Sequence, residues 1–231
     1  ISHRLGCRYY LGDFKGDKYL PESHFMMNWH KIDVFAPESL LTPDGRRVMW
    51  AWVTGKHATS QTALQTLPRE LSLPDDGVLR IKPLRELQVL RHDEQHRGPI
   101  EVAAGKSHRL KKITGNTTEL AVTFEPTDAK AYGLKVFCDQ EGGGLPIRYF
   151  PDQKQLSVGP AKAPLDLKKD EALKLTVFLD KDMVEVFAND RQAVAFVQND
   201  GFRKTGIELF SEGAATKASV KAWKMRSIYQ P

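Results

Sequence analysis

Long apolar runs are missing from this sequence. Hydrophobic residues make up 41% of its 231 positions, yet no purely apolar run extends beyond a few residues. That excludes a transmembrane helix, which needs about 20 consecutive apolar residues. The opening Ile1-Ser2-His3-Arg4-Leu5-Gly6-Cys7 lacks the apolar stretch of a secretory signal, and a start at Ile rather than Met is expected of a processed, trimmed or fragmentary chain. Cysteine is scarce. Cys7 and Cys138 give neither a disulfide framework nor a metal-binding pair motif; a single bridge between them and the cellular compartment both stay open. An excess of one charge is also missing, with 34 basic against 29 acidic residues and a net +5. The densest basic cluster, His108-Arg109-Leu110-Lys111-Lys112, reads as a solvated strand face and not as a nucleic-acid patch. Neither nucleic acid nor membrane is an expected partner.

Self-sufficient catalytic motifs are absent too: there is no nucleophile elbow, zinc-protease helix, phosphate loop or dinucleotide fingerprint. Gly142-Gly143-Gly144 lacks the Lys-Ser/Thr of a phosphate loop and reads as a turn. His92 and His96 have helical metal-pair spacing, but they lie in a charged segment with no Glu in the matching frame, so no metal is expected.

What the sequence has is β texture. Short Val-, Ile-, Phe-, Tyr- and Leu-rich runs recur between turn signals, the pattern of a sandwich, barrel or propeller. A strand is predicted over Arg8–Gly12, followed by a turn through Asp13-Phe14-Lys15-Gly16-Asp17. Arg47–Val53 alternates after the turn Thr42-Pro43-Asp44-Gly45, and a hairpin is predicted around Asp75-Asp76-Gly77. Further strands follow from Glu119 to Lys224. Between Leu173 and Val197 the alternation predicts a three-stranded meander with one buried face. Leu84–His92 is the one helix candidate, with Pro83 at its first position. The charged stretch Arg91–Pro99 reads as a linker, which divides the chain into residues 1–92 and 97–231.

The first third is where chemistry concentrates. Asp13, Asp17, Glu22, Asp33 and Glu38 are interleaved with Tyr9, Tyr10, Phe14, Tyr19, Phe25, Trp29, Phe35, Trp50 and Trp52. Carboxylates accept paired hydrogen bonds from vicinal hydroxyls, and ring faces cover the C–H patches of a sugar. The same residues also serve as ordinary β core and turn-holding acids, so composition leaves both readings open.

The order of residues narrows the choice. Tyr9-Tyr10-Leu11-Gly12-Asp13-Phe14, with Lys18-Tyr19-Leu20-Pro21-Glu22, resembles glycoside hydrolase family 32, the invertase, levanase and inulinase family. So does Asp33-Val34-Phe35-Ala36-Pro37-Glu38, set against that family's Asp-Phe-Tyr-Ala segment with two aromatic positions changed. The resemblance continues through Asp44–Trp52, Leu67-Pro68-Arg69-Glu70-Leu71 and Leu84-Arg85-Glu86-Leu87. It extends to Asp180-Lys181-Asp182-Met183-Val184-Glu185-Val186-Phe187-Ala188-Asn189, which is similar to the family's C-terminal signature. It thus spans nearly the whole chain, in order.

The resemblance implies an all-β fold: the end of a five-bladed propeller over 1–92, then a β-sandwich over 97–231. It implies hydrolysis of β-fructofuranosidic bonds by double displacement, with no metal or organic cofactor. The family's nucleophile, transition-state stabiliser and acid/base lie in Asn-Asp-Pro, Arg-Asp-Pro and Glu-Cys motifs, and none of these occurs here. The chain is therefore expected to hold no catalytic residue and to be inactive by itself. Its partners would be a fructose-containing saccharide and either the missing propeller portion or a second copy.

Four residues are carried over as substrate-binding: Asp13 at the pocket rim, Asp33 bordering it, and Trp50 and Trp52 on one strand face. Turn or strand-entry roles for the two acids, and core packing for the tryptophans, stay open. Arg69 and Glu70 are expected to pair with each other. Asp180, Glu185 and Asn189 are expected to be hairpin and sheet-face residues. The alternative of another class is a non-catalytic carbohydrate-binding or assembly module.

Overall fold

The computed structural model describes residues 2–3, 6–30, 34–53, 64–199 and 203–229, which form twenty strands and one short 3-10 helix. Asp33 lies outside the described residues. β1 (Ser2–His3), β2 (Gly6–Lys15) and β3 (Lys18–Met26) make a three-stranded sheet. The β2–β3 hairpin is longer than expected. Its two-residue turn is Gly16-Asp17, and strand pairing continues through Asp13↔Leu20 and Phe14↔Tyr19. The predicted five-residue turn was too wide because Asp13 and Lys15 look like turn residues yet sit on an exposed ribbon, where polar side chains cost nothing. The register slips between Leu11 and Gly12. A Cβ on Gly12 would lie 2.1 Å from the Leu20 carbonyl oxygen, so only glycine lets the strands approach there.

β4 (Val34–Leu41), β5 (Arg47–Val53), β6 (Leu64–Gln65), β7 (Arg69–Ser72) and β8 (Arg80–Pro83) form a second sheet in the order β4-β5-β7-β8, with β6 paired to β5. The turn before β5 closes as expected, Gly45 N–H donating to the Thr42 carbonyl at 2.9 Å. The predicted helix shrinks to a 3-10 turn over Arg85–Leu90.

The predicted linker is instead β9 (Arg91–Val102), a twelve-residue strand. It lies at a sheet edge, which explains the misreading. An edge strand pairs on one side only and keeps its charges in water. Gly98-Pro99 falls where the register against its partner slips, the position at which a strand accepts a residue without an N–H. His92 and His96 therefore stand on a strand, about 13 Å apart along it at 3.3 Å per residue. No group of metal-ligating residues forms among the described residues.

The rest of the chain is β10 (Lys106–Arg109), β11 (Thr117–Phe124), β12 (Ala131–Cys138), β13 (Leu145–Phe150), β14 (Gln155–Val158), β15 (Ala161–Pro164), β16 (Leu173–Asp180), β17 (Met183–Ala188), β18 (Gln192–Val197), β19 (Gly206–Glu212) and β20 (Thr216–Met225). They build two six-stranded sheets, β10-β19-β12-β13-β14-β15 and β18-β17-β16-β11-β20-β9. Leu120, Val122, Phe124 and Val177 of one sheet and Leu134, Val136, Ile147 and Leu209 of the other share a single core. Cys7 and Cys138 are both buried and free. Burial pushes the Cys138 thiol up to about 11, so it stays protonated and unreactive.

The β16–β17–β18 meander forms with the expected register, Leu179 opposite Val184. It does not have one buried face, however: all six residues of β17 are buried. Val184, Val186 and Ala188 enter the core between the six-stranded sheets. Met183 and Phe187, with Phe178, Ala193 and Ala195, enter a second core completed by Cys7, Met27, Val34, Met49, Ala51, Val53 and Ile81 from the first third. A fully buried Phe, Met or Val side chain contributes about 1.5–3 kcal/mol, so this shared core binds the two halves of the chain firmly.

Candidate functional site

Three groups of residues bear on function: the β2–β3 hairpin, the outer face of the five-stranded sheet, and the contacts that hold that sheet against the second half. On the hairpin, cross-strand pairing stacks Tyr9 on Phe25 (ring centroids 5.3 Å), Tyr10 on His24 (5.2 Å), and sets Phe14 against Tyr19 (5.1 Å). Phe14 is 74% exposed. Asp13 is exposed on the same hairpin, opposite Leu20, and no hydrogen bond or ion pair engages it among the described residues. Its carboxylate is free to accept bonds from a ligand.

β5 explains its two tryptophans by period-2 alternation. Met49, Ala51 and Val53 are 3%, 1% and 1% exposed and point into the second core. Trp50 and Trp52 therefore point the other way, Trp50 half-buried and Trp52 44% exposed. Across the β4–β5 ladder, Phe35 stands opposite Trp52 and Glu38 opposite Trp50. One sheet face thus presents three aromatic side chains and a carboxylate in a line. Core packing, left open for the tryptophans by sequence, applies to neither of them in the second core. Asp13 and the tryptophans are on different sheets, and no hydrogen bond, ion pair or ring contact joins them among the described residues.

The expected Arg69–Glu70 pair does not form. Adjacent strand residues point to opposite faces, so the two side chains diverge. Glu70 meets Arg46 at 3.2 Å, within a cluster where Arg46 also holds Asp44 (2.8 Å) and Glu86 (2.6 Å). In that turn the Thr42 hydroxyl and Arg46 draw the Asp44 carboxyl down to about 2. Arg69 turns inward and meets Glu185 at 2.8 Å, with side chains 1% and 3% exposed. The second Glu185 oxygen accepts the Leu67 N–H. Burial pushes the Glu185 carboxyl above the ordinary range, and Arg69 and the Leu67 N–H oppose that push. Glu185 is therefore more than a sheet-face residue: it clamps segment 67–69 from 116 residues away.

That clamp leads to the tryptophan strand. Thr66 N–H donates to the Ala51 carbonyl (2.9 Å), Ala51 N–H donates to the Thr66 hydroxyl (3.0 Å), and Arg69 lies opposite Met49. Two further ties cross between the halves. Ile81 N–H donates to the Asp190 carbonyl (2.7 Å), and the Trp29 indole N–H donates to the Ala193 carbonyl (3.2 Å). Asn189 is local by comparison: it accepts from Lys174 N–H and donates to Glu171. Sequence gave no partner for Glu185. Its one signal was a charged residue in the middle of an apolar alternating run, between Val184 and Val186.

Comparison with known proteins places this geometry in a family. Residues 2–83 match the model for the N-terminal domain of glycosyl hydrolases family 32, and residues 86–224 match the model for the C-terminal region of the same family. The chain belongs to glycosyl hydrolase family 32. It is 33% identical over 178 residues to the raffinose invertase of Escherichia coli, covering 70% of this chain and 35% of that protein. It is 23% identical over 240 residues to a sucrose-6-phosphate hydrolase of Zymomonas mobilis, covering 94% and 46%. Among solved structures, fructan 1-exohydrolase IIa from Cichorium intybus superimposes with a TM-score of 0.82 at 16% identity, over 95% of this chain and 54% of that one. The chain spans between a third and a half of the length of the two curated relatives.

Proposed function

We propose that this chain works as part of a hydrolase of β-fructofuranosidic bonds in sucrose or fructans, supplying the surface that faces the saccharide. The observation that carries this is the succession of N- and C-terminal family matches along one chain. The names of the relatives, an invertase and a sucrose-6-phosphate hydrolase, agree with it. The architecture we propose is the closing part of a five-bladed propeller followed by a β-sandwich. The division expected at 1–92 and 97–231 is drawn at the 3-10 helix Arg85–Leu90, because β9 already pairs with the second half.

In this reading Trp50, Trp52 and Asp13 bind substrate, and Asp33, outside the described residues, is carried as a fourth binding residue on the family resemblance alone. Ring faces cover sugar C–H patches, and the free Asp13 carboxylate accepts from hydroxyls. The family chemistry needs a nucleophile and an acid/base whose carboxyl groups stand about 5–5.5 Å apart. Their motifs are not in these 231 residues, so bond cleavage is assigned to residues outside them.

The test is complementation. The purified chain is incubated with sucrose, inulin and levan, alone and with the N-terminal portion of a family member carrying the three missing motifs, and released fructose is assayed. The expected result is turnover only in the mixture. Sustained turnover by the homogeneous chain would overturn the division of labour. In the active mixture, Asp13→Ala should lower kcat/KM by roughly 10- to 150-fold, the loss of about 1.5–3 kcal/mol of charge-assisted hydrogen bonding. An unchanged kcat/KM on all three substrates would remove Asp13 from the site. If the chain binds fructan and the mixture stays inert, the alternative of a non-catalytic binding module takes its place.

A further inference from the structure

One end of the second half carries a groove of different make-up from the tryptophan face. It is lined by residues 126–130 and 166–171 beside the ends of β12 and β13, and it holds about 290 Å³. That is at the lower end of the size range of small-ligand sites, about 300–1,000 Å³. Its floor is Tyr132 and Tyr149, directly opposite each other in the β12–β13 register, rings edge to face at 5.7 Å.

The state of the two hydroxyls points to a ligand. Tyr132 is 3% exposed, with its ring held in the core between Phe124 and Tyr149. Its hydroxyl makes no hydrogen bond among the described residues. The little surface that Tyr132 keeps is toward the groove it lines, which is the side on which water or a ligand can meet its hydroxyl. Tyr149 is equally buried, and its hydroxyl only accepts a long 3.4 Å bond from Leu167 N–H. At the rim, Asp128 and Asp152 are exposed and carry no ion pair or hydrogen bond among the described residues. Elsewhere on the rim Lys154 bridges to Asp166 at 2.7 Å and Glu171 is held by Arg191, while Lys130, Lys168 and Lys169 are exposed with no ion pair among the described residues.

The lining sets four lysines against four acids, so neither an anion nor a cation is favoured by charge. Two neutral hydroxyls below and two free carboxylates above suit a neutral ligand rich in hydroxyls. We propose that this groove is a second saccharide site, binding one unit of a fructose-containing chain through the Tyr132 and Tyr149 hydroxyls and the Asp128 and Asp152 carboxylates. The choice of fructan as ligand rests on the function proposed above. A second site on the same polymer raises its effective concentration at the first without any new contact there.

The experiment uses the whole chain labelled with 13C at the ζ carbon of tyrosine, which gives six signals to assign. Inulin- and levan-type oligosaccharides are titrated in, with maltotriose and inorganic phosphate as comparators. Saturable shifts of the Tyr132 and Tyr149 signals with a fructan are expected. Tyr132→Phe, which removes one oxygen and keeps the ring, should weaken that titration about 3- to 10-fold, the value of one hydrogen bond. Tyr149→Phe serves the same purpose if Tyr132→Phe folds poorly. Trp52→Ala should leave both shifts in place. Unmoved Tyr132 and Tyr149 signals in every fructan titration overturn the site. If fructan still binds in that case and Trp52→Ala abolishes it, the tryptophan face stands and only the groove falls. Equal shifts with phosphate, or shifts with maltotriose alone, overturn the assigned ligand.

Discussion

Glu185 and Arg69 show what one buried pair decides. Each side chain is almost wholly out of water, so removing either one strands the other as an uncompensated charge. Glu185→Ala and Arg69→Ala should each cost about 3–5 kcal/mol in chemical denaturation. The double replacement Glu185→Leu with Arg69→Met should cost far less than the sum, because an apolar pair suits the surrounding Phe178, Phe187 and Met183. Additive losses would show that the two residues do not act as a unit. Asp44 makes a prediction at the opposite extreme of exposure. Its folded carboxyl is drawn down to about 2 from an ordinary 3.8, so its contribution is full above pH 4 and is lost as pH falls toward 2. An NMR titration of the Asp44 carboxyl checks this, and a midpoint near 3.8 would mean that the Thr42 and Arg46 contacts do not hold in solution.

Among the elements, the strands that matter most are those another backbone approaches closely. A Cβ at Gly133 in β12 would lie 2.1 Å from the Ile147 carbonyl oxygen of β13. Gly133→Ala must push apart a ladder at the centre of a six-stranded sheet. Gly45, with φ +82° and nothing within 4 Å of its Cβ position, meets only the conformational penalty of a left-handed residue, about 1 kcal/mol. Thermal unfolding should therefore rank Gly133→Ala well below Gly45→Ala in stability, and the reverse order would contradict the β12–β13 packing. β9 carries the complementary lesson. Its sequence of charges and Gly-Pro is that of a connector, and only its pairing with β20 makes it a strand.

For the molecule as a whole, the two ends of the chain differ in how well they are covered. The six-stranded sheets close over a continuous core, whereas Phe14, Leu20, Phe25, Leu41 and Trp52 of the first third stand open to solvent. Clusters of exposed apolar side chains on open sheets favour association. Light scattering should show mass rising with concentration, and Phe14→Ser with Trp52→Ser should suppress the rise. A wild-type chain that stays monomeric at high concentration would count against association through these faces.

The β class, most strand positions and the family were legible in the sequence alone, because period-2 alternation, turn residues and motif order are local properties that survive without a partner. Leu173–Val197 is the clearest case: side chains alternate, the turns at Lys181-Asp182 and Asn189-Asp190 are written in residue type, and the strands form where expected. The common orientation of Trp50 and Trp52 was legible for the same reason. What local pattern does not contain is which face meets which. Alternation says that Glu185 and Phe187 share a side of β17, but not that the side is buried against segment 67–69. Nor could it choose Glu185 over Glu70 as the partner of Arg69, since that pairing spans 116 residues. The charged Arg91–Pro99 stretch, the placing of Tyr132 opposite Tyr149 and the second core are of this kind. Each depends on where two distant strands are brought together, and that was decided only by the tertiary fold.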